Sequence, residues 1–120
     1  MKGFIQLDWA AIIDIICIND VKKNIYPTEQ NKQEYSSNIS FAKLQLEQLK
    51  IDIYEIIASD EYTQLYYANK NVFNLIDRIR DGEKMDAAEP DKANLQRYKA
   101  KQLIQKKFFN SSLSEFKSKI

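Results

Sequence analysis

The feature that most constrains the fold is an apolar repeat between Pro27 and Ala58. Its members recur at alternating steps of four and three residues: Tyr35, Ile39, Ala42, Leu46, Leu49, Ile53 and Ile56. This a/d spacing is typical of a helix that packs one stripe against neighbouring helices. Leu44, Ile51 and Ile57 widen the stripe, which favours a helix of a globular bundle over a two-stranded coiled coil. We therefore predict one long central helix from about Thr28 to Ile57.

Turn-forming residues are scarce, because the 120 residues include only two glycines and two prolines. Folds built from strands need frequent turns, so this scarcity favours a few long helices. Three more segments have helical patterns: about Asp8 to Asn24, Ser59 or Asp60 to Asp81, and Ala87 to Asn110. Gly82 stands where a helix C-terminus favours glycine. We expect an all-α, up-down bundle of about four helices in one domain, 1–120, with 111–120 as a frayed end.

The chain contains no histidine and a single cysteine, Cys17. Catalysis by serine–histidine or cysteine–histidine pairs is therefore excluded, and so are zinc sites that need histidine ligands. Cys17 lies in an apolar run and is expected to be a small buried side chain rather than a nucleophile. No disulfide can form within the chain. We expect a cytoplasmic protein, since nothing in the composition requires an oxidising compartment.

The most apolar stretch, Trp9 to Ile18, spans ten residues and contains Asp14. A membrane-spanning helix needs about 20 apolar residues, and no small-residue cleavage site follows the stretch as a signal peptide would require. We predict a buried helix and no membrane partner. Asp14 is expected to face solvent or to pair with a basic side chain, with a functional buried acid as the alternative.

Charge is divided unevenly along the chain. Residues 1–91 carry a net charge of −6, whereas residues 92–120 carry eight basic residues and one acidic residue, a net of +7. Such a segment can bind phosphates or an acidic partner, or it can pack beside the acidic remainder of its own chain. The candidate contacts with nucleic acid or an acidic partner are Lys92, Arg97, Lys99, Lys101, Lys106 and Lys107. Lys92, Lys99 and Lys106 are spaced seven residues apart and would lie on one stripe of a helix.

Two further groups of residues suggest sites. Carboxylates stand in pairs at Asp52 and Glu55 and at Asp77 and Asp81, and acidic pairs on adjacent helices could bind Mg²⁺. All-α nucleotide pyrophosphohydrolases work in this general way, although the glutamate-rich spacing of such enzymes is missing here.

Tyrosines are enriched at interfaces, because they combine a large contact area with one polar group. The candidate interface tyrosines are Tyr54, Tyr62, Tyr66 and Tyr67.

No motif ties the chain to a reaction, so these patterns favour a non-catalytic helical protein. We expect an adaptor, immunity or regulatory protein that acts through protein–protein contacts, with another protein or a second copy as its partner and no cofactor. A nucleic-acid-binding module that uses the basic C-terminal helix is the first alternative. A Mg²⁺-dependent nucleotide hydrolase is the second. Richness in lysine, asparagine and isoleucine suggests a bacterial source.

Overall fold

The structure, a computed structural model, describes residues 9–109, and this part of the chain is helical without a strand. The all-α prediction is therefore confirmed. The five helices are α1 (Trp9–Ile25), α2 (Glu29–Glu47), α3 (Ile53–Ile57), α4 (Asp60–Arg80) and α5 (Ala88–Phe109). None of them combines the length and the hydropathy needed to cross a membrane. The predicted start of the first helix at Asp8 and the expected fraying of 111–120 lie outside the described residues.

The central helix is α1 rather than the segment that carries the heptad repeat. It packs against α2, α4 and α5, whereas α2 packs mainly on α1. Ile13, Ile16 and Cys17 are almost completely buried. The sequence gives the reason: α1 is apolar nearly all round, and a helix that is apolar on several sides is stable where several neighbours cover it.

The predicted helix from Thr28 to Ile57 is broken in two. Helix α2 ends where Lys50 adopts a left-handed conformation, with φ of 58°. The Ile51 N–H donates to the Leu46 carbonyl at 3.1 Å, and the Lys50 N–H donates to the Glu47 carbonyl at 3.0 Å. These bonds form a Schellman motif, which satisfies the last carbonyls of a helix. Asp52 then caps α3 by accepting from the Tyr54 N–H at 2.9 Å.

The heptad repeat nevertheless identifies buried positions on both sides of the break. Ile39, Ala42 and Leu46 of α2 and Ile53 and Ile56 of α3 all belong to the core. Tyr35 is half-buried and packs against the core, whereas Leu49 is 44% exposed because it lies in the turn between the two helices. After the turn, the apolar positions of the repeat in α3 therefore still face the core.

Caps at both ends of α4 match the sequence pattern. The Ser59 hydroxyl accepts from the Tyr62 N–H at 3.1 Å, as an N-cap serine does. Gly82 has φ of +91°, and the Glu83 N–H donates to the Arg78 carbonyl at 3.0 Å. This arrangement confirms the predicted glycine cap. The short loop that follows lets α5 return along α4.

Candidate interaction surface

A buried polar cluster joins three helices on the inner side of α5. The Arg97 guanidinium donates to the Asp14 carboxylate of α1 through Nη2 at 2.5 Å and through Nε at 3.4 Å. The Asn69 side chain of α4 donates to the same carboxylate at 2.9 Å. Asp14 is 3% exposed, so a charge partner is needed to stabilise it there. One of the two expectations for Asp14, pairing with a basic side chain, is what the structure shows.

We call Asp14, Asn69 and Arg97 the inner cluster. Within it, Arg97 stabilises the fold by pairing with the buried Asp14. The hydrogen bond from Arg97 to Asp14 raises the pKa of Arg97 above its ordinary value. Because the guanidinium already makes two contacts inside the bundle, it is poorly placed to reach a phosphate or an acidic partner. The structure therefore gives the segment's one arginine a partner within its own chain, and its contact with a nucleic acid or an acidic partner stays a prediction.

Cys17 and Tyr62 lie near this cluster and are part of the core. Burial raises the pKa of the Cys17 thiol to about 12, so the thiol stays protonated and unreactive at neutral pH. Tyr62 is 4% exposed, and its hydroxyl donates to Asp20 at 2.8 Å. Burial is also the main cause that raises the pKa of Tyr62. A tyrosine in this position supplies no contact area to a partner.

The lysines of α5 divide into three groups. Lys107 donates to Glu61 of α4 at 2.8 Å, and this hydrogen bond lowers the pKa of Glu61. Lys101 is half-buried. Lys92, Lys99 and Lys106 are exposed and form no ion pair with any residue between Trp9 and Phe109. We call these three the outer stripe, because their seven-residue spacing places them on one side of α5.

A groove of about 530 Å³ lies between α4 and α5, next to the outer stripe. Its walls include Tyr67 and Leu103, which are 61% and 43% exposed, and its floor includes the buried Ala68 and Ala100. Of the residues between Trp9 and Phe109, Lys99 is the only charged one that lines the groove. The remaining lining residues are the polar side chains Thr63, Gln64, Asn71 and Gln96. We call this feature the α4–α5 groove.

The other candidate tyrosines lie elsewhere. Tyr66 is half-buried, accepts from the Asn24 side chain at 2.8 Å and packs edge-on against Tyr67 with ring centroids 5.4 Å apart. Tyr54 is 54% exposed on α3, where the Lys43 ammonium lies 5.9 Å from its ring centroid. The structure therefore divides the four tyrosines among the core, the core edge, the groove and a separate surface.

The acidic pairs lie at the end of α4 and at the start of α3, and one member of each has another partner. Asp52 is the N-cap of α3, and Asp77 is paired with Arg80. Within residues 9–109, no three potential ligands from cysteine, aspartate and glutamate come together around a common point. One carboxylate of each pair that the sequence suggested as a Mg²⁺ site thus has a structural role, Asp52 as a helix cap and Asp77 in a surface ion pair.

No family model, curated protein or solved structure matches this chain. Sequence reasoning selected Tyr67 and Lys99 but missed Leu103 and the alanine floor. The available signal was the spacing of Ala93 and Ala100, seven residues apart on α5, since small residues along one helix face allow a close neighbour and a shallow groove beside it.

Proposed function

We propose that this chain is a non-catalytic protein that binds a protein partner through the α4–α5 groove. The observation that carries the proposal is the exposure of Tyr67 and Leu103 on the two walls of a groove with an alanine floor. Exposed aromatic and aliphatic side chains around a concave apolar floor are the usual anchors of a protein interface. Burying them against a partner removes apolar surface from water and supplies binding energy.

A nucleic-acid-binding module is the alternative, and the outer stripe is the observation that favours it. Three exposed lysines could neutralise phosphates. However, Arg97 and Lys107 are engaged with carboxylates of their own chain, which leaves a small basic footprint. The groove beside the stripe also exposes apolar surface, which a phosphate backbone does not bury. A protein partner uses both the apolar walls and the lysines.

We extend the proposal to the setting of this interaction. A cytoplasmic location is consistent with one thiol that is buried in the core and forms no disulfide. The partner is a different protein or a second copy of the chain. The two cases differ in whether binding depends on the concentration of the chain itself.

Site-specific photo-cross-linking tests the proposed function. A photoreactive amino acid at Gln64, which lines the groove, is compared in the native host with the same amino acid at Gln33, which is exposed on α2. Both positions hold exposed polar side chains on helices, so the substitution perturbs folding equally little. We expect discrete protein adducts from position 64 that are absent from position 33 and that disappear when Tyr67→Ala is added.

The other outcomes have distinct meanings, and the first two count against the proposal. Adducts to nucleic acid alone from position 64 support the nucleic-acid module instead. Equal adduct patterns from positions 64 and 33 contradict any special role of the groove. Adducts between two copies of the chain identify self-association as the interaction.

A further inference from the structure

We propose that the occupant of the α4–α5 groove is an acidic amphipathic helix of a partner protein. This inference rests on the proposed function and adds the chemistry of the partner to it. Three observations carry it: the dimensions of the groove, its apolar walls and the sign of the charge along its edge.

The dimensions of the groove suit a short helix. The lining residues run from Thr63 to Asn71 on α4 and from Gln96 to Leu103 on α5, which is a length of about 12 Å, or roughly two helical turns. Two antiparallel helices with alanines at their contact leave a channel parallel to their axes. A third helix can lie in such a channel, as side chains of one helix pack between those of its neighbours.

The walls and floor specify an apolar stripe on the occupant. Tyr67 and Leu103 project on either side of Ala68 and Ala100, which are 9% and 4% exposed. A helix bound in a groove inserts side chains at positions i, i+3 or i+4, and i+7. Over two turns this gives about three anchors, which is the number that the groove can accommodate.

The edge of the groove specifies acidic flanks. Lys99 lines the groove, and Lys92 and Lys106 continue the same stripe one heptad to either side. On the α4 side, Lys70 is exposed three residues after Tyr67, and such spacing places it on a neighbouring part of the surface. Among residues 9–109, no carboxylate lines the groove, so acidic side chains on the occupant meet the charge of Lys99 and no like charge from the lining of this part of the chain.

Selection from a displayed library of helical peptides tests this inference. The library holds peptides of about 14 residues, or about four turns, with charge and apolar positions randomised, and the purified chain is the bait. Enriched peptides are then titrated into the wild-type chain, Tyr67→Ala and Lys99→Glu by fluorescence anisotropy. The matched control for the charge change is Lys32→Glu, an exposed lysine on α2. Circular dichroism checks that each variant is folded.

We expect enriched peptides with an apolar i, i+3 or i+4, i+7 stripe and a net negative charge. Lys99→Glu should weaken their binding by about tenfold at low salt, because attraction becomes repulsion, and added salt should reduce the effect. Tyr67→Ala should also weaken binding by about tenfold through lost contact area, whereas Lys32→Glu should change it less than about twofold.

The outcomes separate this inference from the proposed function. Neutral or basic peptides whose binding is lost in Tyr67→Ala overturn the acidic chemistry but keep the groove as a protein-binding site. Acidic peptides that bind Lys99→Glu as tightly as the wild type also overturn the charge argument. If no enriched peptide responds to either groove variant, both the inference and the proposed function are overturned.

Discussion

The inner and outer faces of α5 carry similar charges and use them in opposite ways. On the inner face, Arg97 pairs with the buried Asp14 at 2.5 Å and joins α5 to α1. On the outer face, Lys99 lies exposed at the edge of an apolar groove. The two residues are only two positions apart in sequence. The difference shows that the role of a charge in this bundle depends on which helix it faces.

The largest expected effect comes from breaking the inner face. Replacing Arg97 by methionine leaves the Asp14 carboxylate buried with Asn69 as its remaining partner. Removal of one member of a buried ion pair costs about 3 kcal/mol of unfolding free energy. The matched change, Lys99→Met, should alter stability by less than about 0.5 kcal/mol. Urea unfolding at neutral pH measures both, and equal effects would remove the distinction between the faces.

Loss of the Asn69 side chain should destabilise the protein less than loss of Arg97, and it tests the same difference between the inner and outer faces. Asn69→Ala removes the 2.9 Å hydrogen bond to Asp14, and a bond to a charged group contributes about 1.5–3 kcal/mol. Asn71→Ala, two residues further along α4 and exposed in the groove, should cost less than about 0.5 kcal/mol. Thermal unfolding of the two alanine variants makes the measurement. Comparable losses of stability in both would show that Asn69 does not hold the cluster together.

The helix boundaries show what could and could not be predicted from the sequence. The heptad repeat predicted the burial of Ile39 and Leu46, because periodicity reports which side of a helix is apolar. It could not predict the break at Lys50, since a lysine gives no signal of a left-handed conformation. Gly82 gave that signal at the end of α4 and was recognised.

The same limit applies to the site. The sequence identified a basic segment and an isolated acid at Asp14, but the pairing of Asp14 with Arg97 joins residues 83 positions apart. Local spacing contains no information on contacts of that kind. The groove was only half predicted for the same reason: Tyr67 and Lys99 stand out by residue type, whereas Ala68 and Ala100 matter only because α4 and α5 are neighbours.

Alkaline pH should weaken the core next to the inner cluster. The folded pKa of Cys17 is raised to about 12, whereas an unfolded thiol has a pKa of about 8.5. Above the unfolded pKa, the unfolded state loses its proton and the folded state keeps it, so stability falls as pH rises. Between about pH 9 and pH 10 the loss should be about 1 kcal/mol.

Chemical unfolding at a series of pH values measures this loss, and Cys17→Ala is its control. The alanine variant lacks the titrating thiol, so its stability should fall less over the same interval. An identical pH dependence in the two proteins would assign the alkaline loss to other groups.

The smallest effect is expected for the ion pair between Lys107 and Glu61, which lies at the surface. Its 2.8 Å contact joins α5 to the start of α4, but exposed ion pairs contribute only about 0.2–1 kcal/mol. Lys107→Met should therefore reduce stability by about 0.3 kcal/mol at low salt. Repeating the urea titration with added salt should abolish the difference from the wild type. If Lys107→Met lowered the free energy of unfolding as much as Arg97→Met does, the Lys107–Glu61 pair would be as important for stability as the inner cluster, which would contradict this prediction.

The most direct test of the division between the two faces is a nitrogen-15 nuclear magnetic resonance titration with a groove-selected peptide. Asn71 is exposed and lines the groove, whereas the side-chain amide of Asn69 donates to Asp14 inside the bundle. We predict that the Asn71 amide signal shifts on binding while the Asn69 amide signal stays in place. Shifts at Asn69 with none at Asn71, or shifts confined to α2, would contradict the account.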